Sequence, residues 1–289
     1  MSTDSPERSP DARPERSRRA RITFLGCGTS AGVPMIGCEC RVCLSTDPKD
    51  TRLRPSIVVD VPGQATILVD TTPDLRQQAL AHGVRRVDAI LFTHGHADHI
   101  LGLDEIRRYN HMQGGPIPCY ADAPTWDTIR HVFSYAFDGV ERLGGGVPQV
   151  QAHTIAGPFS VSGVRVVPVP LWHGRMAMLG FRFGTFAYLT DCNRLTDEAW
   201  ELVAGVDTLV LDALRDRPHT THFTVDEAVA VVERIGAPRN YLTHMTHDLG
   251  YASTNARLPR GVELAYDGLV VDAQVDIDDP LSPGFGEAG

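Results

Sequence analysis

The chain has 289 residues, 42% of them hydrophobic, and a formal charge of −9. That length and apolar content suit one large domain with a packed core. The acidic balance speaks against a nucleic-acid binder held by phosphate contacts. Lys49 is the only lysine among 27 basic residues, which leaves little room for a P-loop, a Schiff-base enzyme or a Ser-Lys hydrolase, whereas twelve histidines leave much room for metal.

In chain order, residues 1–20 mix Pro, Ser, Arg and acidic residues, lack the apolar stretch of a secretory signal, and read as a disordered tail. A single domain over 21–272 follows, and 273–289 reads as a flexible tail. Strands are predicted at 22–25, 57–61, 66–69, 89–92, 116–120, 164–169, 180–183, 186–189, 208–211, 240–242, 263–265 and 269–271. Helices are predicted at 73–82, 100–112, 123–137, 197–203 and 225–235, the last with a Thr224/Glu227 capping box and a stop at Gly236. Gly184-Thr185 and Asp267-Gly268 read as hairpin turns, the second joining the last two strands. The pattern predicts an α+β fold, a mixed sheet covered by helices. No stretch reaches the ~20 apolar residues of a membrane helix, so no membrane partner is expected. Six cysteines without an export signal point to the reducing cytoplasm and to metal binding over disulfides.

Two glycine motifs near the N-terminus are decoys. Gly26-Cys-Gly28-Thr-Ser-Ala31 fits a loose dinucleotide fingerprint, and Gly28-Thr-Ser30-Ala-Gly32 fits a nucleophile elbow. Both need a helix immediately afterwards. Gly32-Val33-Pro34 and then Gly37 give no clean helix start, so the segment reads as a turn that brings backbone close to something else.

The densest signal is Thr93-His94-Gly95-His96-Ala97-Asp98-His99, straight after an apolar strand. A turn there can aim His94 and His96 at one ion and Asp98 and His99 at a second; imidazoles with carboxylates suit several first-row dications. Further ligands must come from elsewhere, and His173, Asp191 and His244 each end a predicted strand. Strand ends are rigid platforms for ligands. Asp70 also ends a strand, as a partner for a ligand histidine or as a cap of the next helix. Cys38, Cys40 and Cys43 fall within six residues and call for a fourth tetrahedral ligand around a structural zinc. Cys27, Cys119 and Cys192 read as small buried residues, and Arg107, Arg108 and Asn110 as a solvated helix face or a phosphate contact.

His-x-His-x-Asp-His, followed by His, Asp and His at strand ends, resembles the signature of the metallo-β-lactamase superfamily over roughly residues 21–272. The resemblance implies a four-layer αββα sandwich. It implies one ion on His94, His96 and His173, a second on Asp98, His99 and His244, and Asp191 bridging both. With Cys-x-Cys-x-x-Cys and a late His-x-x-His, the chain is similar to the phosphoribosyl cyclic phosphodiesterase branch, in which the second histidine, here His247, completes a structural zinc hook. A protein of pyrroloquinoline quinone biosynthesis carries a related hook, but the intact His-x-His-x-Asp-His here argues against a non-catalytic cofactor-pathway role. Ribonuclease Z shares the opening turn, yet no long basic insertion is present to serve as a tRNA-binding arm.

The resemblance therefore implies two active-site dications, zinc or manganese, and one structural zinc. Two such ions outweigh Asp98, Asp191 and a bridging hydroxide, leaving a locally positive pocket for a small anionic substrate. The expected reaction is attack of that hydroxide on a phosphodiester, with opening of a small cyclic or nucleotide-like phosphate favoured. Asp98 and Asp191 belong to the catalytic set, and His222 aligns with the branch's general acid, with His219 as its competitor. The alternatives are thioester or lactone hydrolysis on the same fold, or a non-catalytic cofactor-pathway metal protein. Homodimerisation stays open.

Overall fold

The structure is a computed structural model describing residues 17–140 and 146–278. Among these, the strands are β1 (Ser17–Gly26), β2 (Ser56–Val61), β3 (Ala65–Val69), β4 (Ala89–Leu91), β5 (Ile117–Ala121), β6 (Val150–Thr154), β7 (Phe159–Val161), β8 (Val164–His173), β9 (Met176–Phe183), β10 (Phe186–Leu189), β11 (Arg194–Leu195), β12 (Thr208–Asp212), β13 (Arg239–Thr243), β14 (Val262–Leu264) and β15 (Val270–Asp276). They form one sheet in the order β15-β1-β2-β3-β4-β5-β6 and another in the order β11-β8-β9-β10-β12-β13-β14, with β7 paired to β8.

Side-chain alternation explains the layering. In β2, Ile57, Val59 and Val61 join Phe181, Phe186 and Leu211 of the other sheet in one core, while Val58 faces a second core with Leu75, Ile106 and Trp126 of the helices outside. On the far side, Ala199, Ala228 and Val232 bring two more helices onto the second sheet. The result is the expected four-layer αββα sandwich. Each sheet has a parallel part, β3-β4-β5-β6 and β10-β12-β13-β14. Carboxyl ends of parallel strands are where open sheets place ligands, and here β3 and β13 hand their chains directly to Asp70 and His244, and β10 reaches Asp191 through Thr190.

Several sequence expectations change. Residues 17–20 and 273–276 are strand, not tail: Ser17 pairs with Asp276 and Ala20 with Ala273, and Ala20 and Val275 are fully buried. Each end supplies the hydrogen-bonding partner that the other lacks alone. The rest of the expected tails, 1–16 and 279–289, lies outside the described residues. Asp267-Gly268 is not a hairpin turn, since β14 pairs with β13 and β15 with β1. It carries the chain from one sheet to the other. Gly184-Thr185 does join the antiparallel pair β9 and β10. The predicted 100–112 helix divides into Ala97–Ile100, a 3-10 turn Leu103–Ile106 and Arg107–Gln113. The division falls at Gly102, where a Cβ would lie 1.9 Å from the Thr72 carbonyl oxygen. No helix of the described residues is long and apolar enough to cross a membrane.

Candidate functional site

The strand ends converge as the motifs require. Single donor atoms of His94, His96, His173 and Asp191 lie within 4.8 Å of one another, and so do those of Asp98, His99, Asp191 and His244. Asp191 belongs to both groups. Its Oδ2 is 3.2 Å from His99 Nε2 and 3.6 Å from His94 Nε2, and its Oδ1 is 3.0 Å from His244 Nε2. Asp98 Oδ2 sits 3.5 Å from His99 Nε2 and 3.6 Å from His244 Nε2. All of these residues are buried except His96, which is exposed.

The protein tunes its imidazoles from behind. His99 Nδ1 donates to Asp70 Oδ2 at 2.7 Å, His94 Nδ1 to Thr93 Oγ1 at 3.0 Å, and His173 Nδ1 to the Thr221 carbonyl at 2.8 Å. Each bond fixes the tautomer that leaves Nε2 as the free donor toward the cluster. Thr93 in turn donates its backbone N–H and its hydroxyl to Asp70. Asp70 is therefore the partner of His99, and the next helix takes Asp74, not Asp70, at its N-cap.

Backbone strain concentrates here. Asp70, Asp191 and His244 have φ of 64°, 52° and 61°, three of the four non-glycine residues with positive φ among the described residues. Such conformations persist only where surroundings over-determine them, and they gather at functional sites.

The donor set fits divalent cations. His94 Nε2 is buried and makes no hydrogen bond, an arrangement that a cation resolves and a purely structural polar cluster does not. Protonation of the protein alone follows the same charges. Burial opposes charge on His244, yet Asp191, Asp98 and Asp212 outweigh it and push its pKa up to about 10. His173, buried and with no carboxylate at ion-pair distance, is pulled down by burial to about 4. The carboxyls of Asp98 and Asp191 fall below their usual range because the imidazoles overcome the burial penalty.

Beside this cluster stands a dyad. His222 is 8% exposed, its ring 4.6 Å from that of His173 and 4.7 Å from that of His244. Its Nδ1 donates to Asp212 Oδ1 at 3.0 Å, and Asp212 Oδ2 accepts the Phe223 N–H at 2.9 Å. Burial pushes the Asp212 carboxyl above its ordinary range. Sequence reasoning missed Asp212, although Thr-Leu-Val-Leu-Asp212 repeats the pattern of Thr-Ile-Leu-Val-Asp70: an apolar run ending in Asp at the carboxyl end of a parallel strand, one in each sheet. His219 is exposed and engaged locally by Thr221.

The second cluster is the hook. Cys38, Cys40 and Cys43 place their Sγ atoms 3.1, 3.3 and 3.5 Å from His247 Nδ1, all four residues half-buried. The Met35 and Cys43 N–H groups donate to Cys43 Sγ and Cys40 Sγ. The Cys43 N–H, with neighbouring groups, pulls the Cys40 thiol down to about 6, as suits a thiolate ligand. Cys27, Cys119 and Cys192 are buried as expected. Arg107 pairs with Asp104, and Asn110 spends its amide on the Gly115 and Gln149 carbonyls, so both are engaged within the fold.

Comparison with known proteins agrees with this geometry. The family described as the beta-lactamase superfamily domain matches residues 65–245, and the chain belongs to it. A solved diphosphatase of the PhnP family superposes with a TM-score of 0.85 at 44% identity, covering 91% of this chain and 100% of that one. The chain is thus a metallo-β-lactamase-fold hydrolase of the branch its motifs indicate. It is 30% identical over 224 residues to coenzyme PQQ synthesis protein B of Methylobacterium nodulans, covering 65% of this chain and 71% of that protein. It is 36% identical over 254 residues to a Porphyromonas gingivalis protein named octanoyltransferase, covering 86% of this chain but only 51% of that protein.

Proposed function

We propose that the protein is a two-metal phosphodiesterase acting on a small cyclic or nucleotide-like phosphate. The observation that carries this reading is the His222–Asp212 dyad packed against His173 and His244. Hydrolysis of a phosphoryl compound with a poor leaving group needs a proton at the departing oxygen, and a buried, oriented histidine beside the cation ligands supplies one. Zinc or manganese on His94, His96, His173, Asp98, His99, His244 and the shared Asp191 would activate water and neutralise phosphoryl charge.

The chain's own residues do the rest. Asp212 accepts the His222 Nδ1–H, and in the imidazolium form His222 also carries an Nε2–H, the proton that passes to the leaving oxygen and leaves a neutral imidazole behind. Asp70 holds the His99 ring, and Thr221 holds that of His173. The burial of His222 and the exposure of His219 favour His222 as the general acid. The −9 charge supports a small anion over a nucleic acid as substrate, and six free cysteines support a cytoplasmic setting.

A second reading, thioester hydrolysis, draws support from the relative named octanoyltransferase, which implies acyl chemistry in that protein. The diphosphatase relative favours phosphoryl chemistry and covers the longer share of both chains. A panel of bis-p-nitrophenyl phosphate, cyclic nucleotides, a diphosphate and an octanoyl thioester separates the two. Turnover of the phosphoryl compounds with the thioester untouched is expected; thioester turnover alone would overturn the proposal.

A further inference from the structure

Arg52 is among the largest fully buried side chains of the described residues, with 1% of its surface exposed. A buried guanidinium needs partners for its donors and a counter-charge. Asp50 supplies the charge at 3.3 Å. The remaining bonds go to one loop. Nη1 donates to the Thr246 carbonyl at 2.9 Å, and Nη2 donates to the Leu249 carbonyl. Asp50 Oδ1 also accepts the Tyr251 N–H at 2.7 Å.

That loop carries His244 at one end and the hook's His247 in its middle. His244 sits at φ 61°, a conformation that must be held from both sides. Ahead of it, Thr243 is paired in β13 to Asp212. Behind it, Met245 exchanges backbone hydrogen bonds with Cys27 and Thr29, the Thr246 N–H donates to the Leu214 carbonyl, and the Thr246 and Leu249 carbonyls end on Arg52. His94, His96 and His173 are carried by other segments and owe nothing to this loop.

We infer that Arg52, oriented by Asp50, is a positioning residue for His244, and that it sets the affinity of the Asp98/His99/Asp191/His244 ion site selectively. The inference rests on the two-metal reading above. It predicts unequal effects within one centre: loosening the loop weakens one of the two active-site ions and spares the other.

Cobalt(II) titration of the metal-free protein reads this without turnover. The hook reports through a near-ultraviolet thiolate-to-cobalt band, and the His/carboxylate centre through visible d–d bands. Wild type is expected to fill the His/carboxylate centre in two steps. Arg52→Gln should weaken one step by about tenfold or more, the range of outer-sphere effects on metal affinity, and leave the other within about twofold. Its thiolate band and near-ultraviolet circular dichroism should persist. Arg52→Lys keeps the charge but reaches only one of the two carbonyls, so partial recovery is expected. Should the Arg52 variants fail to fold, Asp50→Asn leaves Arg52 in place and decides the matter, with a smaller loss at the same single step. Equal weakening of both steps, or of neither, would overturn the inference. A wild type that never shows a second step would instead sink the two-metal reading, and the inference with it.

Discussion

The two candidate ion sites are built in opposite ways. The hook takes three ligands from a six-residue stretch and a fourth from His247, and all four are half-buried. The His/carboxylate centre gathers seven residues spread from His94 to His244, from both sheets, nearly all buried and with strained backbone at Asp191 and His244. With three ligands on one short loop, the hook needs the wider fold only to bring His247, and its ion contributes directly to folding by tying the two segments together. A centre assembled from strand ends is a product of the fold, so its ligands serve chemistry at some expense in strain.

This contrast predicts where substitutions register. The largest effect tests the dyad. His222→Ala should lower kcat by roughly 10²–10⁴-fold on a diester with a poor leaving group, much less on a p-nitrophenyl ester, with ion content unchanged. A uniform loss on both substrates would remove His222 from the acid role. Next, Asp70→Asn should cost about 10–100-fold in metal affinity or activity, because an amide cannot accept all three hydrogens, two from Thr93 and one from His99, that the carboxylate accepts. Equilibrium dialysis against a graded series of zinc buffers checks it, and unchanged affinity would show that the 2.7 Å contact does not tune His99.

The smallest effect concerns the scaffold between the sites. Asp267 accepts the Cys27 and Leu53 N–H groups, and burial raises its carboxyl to about 7. A carboxyl whose folded pKa is raised stabilises the fold fully below the unfolded value and loses that contribution as pH rises through the folded one. The Tm of wild type relative to Asp267→Asn should therefore fall from about pH 5 to about pH 8. A gap that stays constant would show that charging Asp267 carries no penalty.

Much of the site is legible in the sequence because its ligands are either adjacent, as in His94 to His99, or mark the ends of apolar runs, as with His173, Asp191 and His244. What escapes is non-local. Arg19 meets Asp272 across 253 positions, and nothing in either segment alone announces a strand. The short β6 and β11, with exposed residues, lack the apolar run that marks buried strands. Asp212 was overlooked because one Asp after a buried strand has no adjacent ligand to single it out, and its meaning depends on His222 arriving ten residues later at 3.0 Å. The φ values of Asp70, Asp191 and His244 carry no sequence signature at all.

A catalytic pair of ions and a separate structural ion in one chain can be counted by elemental analysis of wild type, Cys40→Ser and Asp191→Ala, each equilibrated with zinc. About three ions per chain are expected in wild type, about two in Cys40→Ser with a lowered Tm, and a loss in Asp191→Ala confined to the active-site pair, its hook ion and fold retained. Saturation of wild type at a single ion, or loss of the hook ion in Asp191→Ala, would contradict that arrangement.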